Sequence, residues 1–262
     1  MSPKRQPDNP VDVIEQRVRI RYAKRGRLRF ASHRDFARAL ERSLRRAQIP
    51  IAHSAGFTPH PKVSYVGAAP TGAASEAEYA ELALTRRVDP DQLRVRLDAA
   101  LPPGLDITEC VETHTGALAD QITASEWRVE LPGIAPERLQ QAVERFLQAD
   151  EVLIERVVKS GRRLVDARAA VASVQVRTGA SDELAGDGCA ILDVVVRHVT
   201  PAVRPDDVLA ALRLVADLVP PVPARATRLA QGQLGDDGRL ADPLALDRAA
   251  ADSSGTPASE AS

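Results

Sequence analysis

The chain has 262 residues, 44% hydrophobic and 27% charged, values ordinary for one large or two modest globular domains. Its two cysteines, Cys110 and Cys189, are too few for a disulfide framework or a Cys-rich metal site and fit a reducing compartment. The N-terminus lacks an apolar signal core and no apolar run reaches about 18 residues, so a cytoplasmic protein with no membrane partner is expected.

The net charge of −1 conceals an asymmetry. Between residues 17 and 65 stand thirteen basic side chains and only two acidic ones, Asp35 and Glu41. An excess of acid elsewhere restores the balance. One-sided charge of this kind points to an anionic partner.

Residues 1–16 are polar, carry Pro3, Pro7 and Pro10, and read as a disordered lead-in. Residues 17–23 alternate as a strand, with Val18, Ile20 and Tyr22 on one face and Arg17, Arg19 and Arg21 on the other. Lys24, Arg25 and Gly26 make a turn, and Leu28 and Phe30 resume the alternation. Ser32 is the expected N-cap of a helix, with Asp35 three residues on completing a short capping box. Phe36, Leu40, Leu44 and Ala47 form its apolar stripe, and Arg34, Arg38, Arg42 and Arg45 repeat at helical spacing opposite. The helix ends before Pro50.

The Gly- and Pro-rich loop 53–62 leads into a strand at 63–66. A strand at 78–85, a helix at 89–100 and a strand at 105–111 follow. The order strand, helix, strand, strand, helix, strand is the ferredoxin-like plan. It recurs as a strand at 127–131, a helix at 136–148, strands at 152–158 and 164–176, an exposed insert at 179–188, a strand at 189–198, a helix at 205–217 and a strand at 225–234. The fold expected is therefore α+β: two tandem ferredoxin-like (βαββαβ) domains at 17–118 and 126–234. The Asp-, Ala- and Ser-rich stretch 235–262 reads as a disordered tail.

Arginines on one strand face and one helix face suit a phosphodiester backbone, which favours bidentate guanidinium contacts. The expected nucleic-acid-binding set is Arg19, Arg21, Arg27, Arg29, Ser32, His33, Arg34, Arg38, Arg42, Arg45, Arg46, Phe57, His60 and Lys62, with RNA as the partner. Ser32, His33 and the first helical N–H groups form an expected anion site. Phe57 or Tyr65 can stack on an unpaired base, although core packing is the ordinary reading of such aromatics. His33, His60 and Lys62 are expected to converge on one anion pocket.

His33, His53 and His60 lie in or beside the basic block, but no helical His pair or Cys pair supports a metal site, and no cofactor motif is present. A metal-free ribonuclease needs an acid, a base and a cation around the phosphate; His33, His60, Tyr22 and Lys62 are the candidates. His114 and His198 read as structural or solvent-exposed. In the second half, Arg162, Arg163 and Arg168 surround Asp166 at a turn, either a surface hairpin or an extension of the basic surface.

The strings LRFASHRDFARALERSLRRA, GFTPHPK and EYAEL, within residues 17–85, are similar to those of the radical-SAM-linked protein family, a bacterial group of uncharacterised activity. The resemblance runs more loosely through 126–234. It makes Ser32, His33, Asp35, Arg42, Arg45, Gly56, Phe57, Pro59, His60 and Pro61 signature positions. Family members occur fused to a radical SAM protein or as separate chains, and stand-alone actinobacterial members tend to be encoded near a ribonuclease E-type protein. This chain lacks the cysteine triplet that holds a radical SAM cluster. The resemblance therefore implies an accessory protein that presents RNA to a radical SAM enzyme or works beside a ribonuclease E-type protein. A metal-independent endoribonuclease and a scaffold for an acidic protein are the alternatives.

Overall fold

The computed structural model describes residues 12–55, 57–158, 161–178 and 188–254, which form an α+β protein. The chain divides into two compact units, one drawn from Met1–Asp120 together with Pro243–Ser262, the other from Gln121–Asp242.

The first unit begins with β1 (Gln16–Lys24), α1 (His33–Arg46), β2 (Val63–Val66), β3 (Ala74–Leu84), α2 (Pro90–Asp98) and β4 (Leu105–Glu112). Its strands lie in the order β4-β1-β3-β2, and every pairing is antiparallel. Strand alternation sends Val18, Ile20 and Tyr22 to one face, where they join Phe36, Leu40 and Leu44 of α1 and Leu93 and Leu97 of α2 in the core. Arg17, Arg19 and Arg21 take the other face. Leu28 and Phe30 belong to a 3-10 turn, Gly26–Phe30, and not to a strand. Gly26 enters it at φ +54, and Arg29 Nε donates to the Gly72 carbonyl at 2.7 Å, which holds the turn against the chain before β3.

The second unit comprises β5 (Ala124–Pro132), α3 (Pro136–Gln148), β6 (Leu153–Val158), β7 (Gly161–Asp166), α4 (Ala167–Ala170), β8 (Val171–Thr178), β9 (Cys189–Arg197), α5 (Pro205–Ala216), β10 (Arg225–Leu234) and β11 (Leu240–Ala241). Its main strands run β10-β5-β9-β8, again antiparallel. β6 and β7 pair with each other as a separate two-stranded hairpin. The strand expected over 164–176 is broken by Asp166. Its Oδ1 accepts from Val152 N, Arg168 N and Ala169 N at 2.9–3.3 Å, capping the one-turn α4 and forcing the chain to restart as β8. β11 closes on β10 where Gly232 stands: a Cβ there would lie 1.9 Å from the Ala241 carbonyl oxygen.

The expected tail and lead-in need correction. Beyond β11, α6 (Ala245–Ser254) belongs to the first unit, with Leu244 and Asp247 fully buried. Composition misled here because charge pairs anchor the segment: Arg248 bonds Glu109 of β4, and Asp247 is buried against Arg19. Asp247 Oδ2 takes a 2.7 Å hydrogen bond from Arg19, and its Oδ1 accepts from His114 N and Thr115 N at 2.8 and 3.0 Å. The part of the tail at 255–262 lies outside the described residues, as does lead-in 1–11. Asp12 is tied to the His53 amide at 2.7 Å, and Gln16 already belongs to β1.

Removing one partner of a buried ion pair strands the other charge, at a cost of about 3–5 kcal/mol. Asp247→Ala should lower unfolding free energy by about that amount in denaturant titration, whereas Arg19→Met combined with Asp247→Leu should lose much less. Equal losses in the single and double variants would show that packing, not the charge, anchors α6.

Candidate nucleic-acid interface

The candidate surface is built on α1. Its first turn is a capping box: Asp35 N donates to Ser32 Oγ at 3.2 Å, while Asp35 Oδ2 accepts from Ser32 N at 3.1 Å and Ser32 Oγ at 2.6 Å. These bonds, assisted by Arg38 and Arg34, hold the Asp35 carboxyl below the ordinary range. The chain's own carboxylate thus sits at the helix N-terminus, where an external anion was expected.

Arg34, Arg38, Arg42, Arg45 and Arg46 are all exposed, and none forms an ion pair among the described residues. Phe36, Leu40 and Leu44, on the inner side, are buried. Arg27 is exposed in the 3-10 turn, and Arg29 is half-buried by its bond to Gly72. Phe30, 67% exposed, lies 5.9 Å from the Arg29 guanidinium.

The strand-borne arginines are placed differently from expectation. Arg19 has no solvent exposure and cannot reach a phosphate backbone; it bonds Glu81, Asp247, Thr115 and Gly116. Arg17 pairs with Glu81 at 3.0 Å, and Arg21 with Glu109. Arg25 is bound by Glu76 and Asp106, and the Glu76 hydrogen bond drives its pKa further upward. Neutralising carboxylates arrive from β3, β4 and α6, positions remote in sequence.

The candidate catalytic residues are dispersed. Tyr22 is buried in the core, its ring stacked on Phe36 at 4.0 Å. His33 stands edge-on to Tyr65 at 4.7 Å, and Tyr65 meets Phe36 at 5.9 Å. Burial, and secondarily Glu41, pushes the Tyr65 phenol up to about 12.

His60 and Lys62 lie elsewhere. In the turn before β2, Ser54 N donates to His60 O at 2.8 Å, His60 N to Ser54 Oγ at 3.0 Å and Lys62 N to Ala52 O at 2.7 Å. Phe57 at its tip is 72% exposed, and Gly56 lies outside the described residues. Val63 and Tyr65 pack against the α1 side of the sheet, whereas Ser64 registers with Glu81 on the opposite face. His60 and Lys62 line a hollow on that opposite face, while Ser32 and His33 line a separate small cleft with Tyr22 and Lys24. The expected convergence of His33, His60 and Lys62 is therefore incorrect: His33 lines one cleft, and His60 and Lys62 another hollow on the other face of the sheet.

Among the described residues no group of three His, Cys, Asp or Glu side chains could hold a metal ion. In the second unit, Arg162 pairs with Glu155 at 3.0 Å on the β6–β7 hairpin, Arg163 is exposed, and Arg168 lies 6.0 Å from the Phe146 ring. A pair not anticipated from sequence joins Ser125 Oγ to the His198 ring at 2.7 Å; burial, then Arg228, lowers the His198 pKa. Ser125 is buried on β5, flanked by β9 and β10, while His198 follows β9 at the exposed surface.

Ser32→Ala should cost about 1 kcal/mol in chemical unfolding through loss of the cap. Tyr65 supplies a pH signature. Its neutral form is favoured in the folded chain, so stability should hold up to pH 10.0, where the unfolded phenol ionises, and decline from there to about 12. Tyr65→Phe should remove that part of the alkaline decline.

No helix among the described residues is long and apolar enough to cross a membrane. A search of curated proteins found no match to the chain. A family model does match it over residues 17–205, spanning β1 to the start of α5, and on that match the chain belongs to the family described as an uncharacterized protein conserved in bacteria (DUF2344).

Proposed function

We propose that this is a cytoplasmic RNA-binding accessory protein of two ferredoxin-like units, which presents RNA to a modifying or processing enzyme. The strand orders β4-β1-β3-β2 and β10-β5-β9-β8, with helices between the strands, support the ferredoxin-like reading of each unit. The partner enzyme, a radical SAM enzyme or a ribonuclease E-type protein, is proposed from the sequence resemblance alone.

The observation that carries the RNA reading is the outer face of α1. Five exposed arginines stand there, none in an ion pair among the described residues and only Arg34 and Arg38 near a carboxylate, that of Asp35, while the arginines of β1 are matched by Glu81, Glu109 and Asp247. Exposed faces ordinarily mix both signs. A row of unpaired guanidiniums on one helix suits a phosphodiester backbone, each contact releasing condensed counterions. Phe30 and Phe57, both exposed, can supply stacking surfaces for unpaired bases.

Affinity for single-stranded RNA should fall with a log–log salt slope of about −0.7 per phosphate contacted. The triple variant R38E/R42E/R45E should lose about a hundredfold in affinity or more, because three attractions become repulsions. The fold should survive, since these side chains lie opposite the buried stripe. A folded triple variant that binds RNA as tightly as the parent overturns the reading. RNA incubated with purified protein in EDTA should stay intact; cleavage that His33→Ala or His60→Ala abolishes would favour the endoribonuclease alternative instead.

A further inference from the structure

The first unit carries a second basic feature on the side of its sheet away from α1. A 310 Å³ hollow there is lined by Arg17 of β1, Ser54 and His60 of the preceding turn, and Lys62 and Ser64 at the start of β2. Ala83, the register partner of Arg17, lies in its wall. The hydrogen bonds between Ser54 and His60, and between Lys62 and Ala52, fix the rim at its base.

Charge in the hollow is not balanced. Glu81 is shared between Arg17 at 3.0 Å and Arg19 at 3.2 Å, so one carboxylate serves two guanidiniums. Asp247 offsets Arg19 from the far side. Lys62 forms no ion pair among the described residues, and the Arg17 side chain remains 49% exposed despite its contact with Glu81. The lining therefore holds a surplus cation, a second cation with N–H groups to spare, an imidazole and two hydroxyls. Ser54 Oγ already accepts from the His60 amide, which leaves its own O–H to donate.

We propose that this hollow binds a single phosphate group. A tetrahedral oxyanion presents four oxygens in different directions, matching guanidinium, ammonium and hydroxyl donors that approach from β1, β2 and the turn. A carboxylate offers two oxygens in one plane and would leave part of the donor set unused. The site goes beyond the RNA reading. The long face of α1 suits a run of diester phosphates, whereas a hollow this small suits one group, either a free ion or the terminal phosphate of a chain.

Amide NMR on the full chain tests the site, with inorganic phosphate as the first probe. Saturable shifts are expected at Ser54, His60, Lys62 and Ser64, with acetate producing none. Lys62→Ala should weaken phosphate binding about tenfold, the scale of one charge-assisted contact, and Lys62→Arg should restore most of it. A short oligoribonucleotide ending in a phosphate, set against the same chain ending in a hydroxyl, identifies the source. Shifts of the same four amides only with the phosphorylated end assign a chain terminus, and shifts with inorganic phosphate alone assign the free ion; both support the site. R38E/R42E/R45E should leave these shifts unchanged, which keeps a failure of the α1 reading separate from a failure here. Absence of shifts in both arms, or unaltered phosphate affinity in Lys62→Ala, overturns the proposal.

Discussion

Arg19 places a guanidinium with no solvent exposure in the middle of β1, and the first unit is arranged around keeping it charged and bonded. An ion removed from water costs several kcal/mol unless its hydrogen-bonding groups are met. Arg19 meets that demand with Glu81 on β3, the Thr115 hydroxyl, the Gly116 carbonyl and Asp247 on α6. Asp247 is in turn satisfied by the amides of His114 and Thr115, so Arg19 and Asp247 each have both an opposite charge and neutral partners. The consequence for the chain is topological. A residue in the first strand and one near the chain's end, 228 positions apart, must meet for either to be tolerable inside the protein. The first unit is therefore discontinuous in sequence, and α6 is a part of it and not an appendage.

The same pairing logic sorts the arginines by role. On β1, each outward-facing position lies beside neighbouring strands, and carboxylates from β3 and β4 are in reach: Glu81 stands opposite Arg19 and reaches Arg17 diagonally, and Glu109 stands opposite Arg21. On α1, the outward positions face away from the sheet, and the acidic residue of the first turn, Asp35, is already engaged with Ser32. Basic density in a sequence window thus divides into a structural part and a surplus. The surplus lies on α1, the face that carries the proposed RNA reading.

Much of this was legible in the sequence, and the residues that were not share a cause. The period-two pattern of residues 17–23, the apolar stripe Phe36, Leu40 and Leu44, the Ser32–Asp35 cap and the turn at Gly26 all follow from interactions within a few positions. Arg19 looked like its neighbours because a buried and an exposed arginine have the same periodicity on a polar strand face; only carboxylates at positions 81 and 247 distinguish them. Asp166 breaks a strand by accepting three amides, which a hydrophobicity pattern does not register. The tail contains too little apolar surface to suggest order, yet the buried Leu244, Asp247 paired with Arg19 and Arg248 paired with Glu109 hold it to the first unit.

The separation of His33 from His60 and Lys62 bears on what the basic surfaces can do with a bound phosphate. Acid–base cleavage needs a base and an acid within about 3 Å of the protons they move, on opposite sides of one phosphorus, with a cation on its oxygens. Here Tyr22 is stacked in the core, His33 packs on Tyr65 beside α1, and His60 and Lys62 belong to a hollow on the other face of the sheet. His60 and Lys62 share one hollow, while His33 lines a cleft that Tyr22, Lys24 and Ser32 also border. The four candidates are thus divided between two places, Tyr22 with His33 and His60 with Lys62, on opposite sides of the sheet. Under the proposed RNA reading, the arginines of α1 hold the nucleic acid on the His33 side of the sheet, away from the His60 and Lys62 hollow.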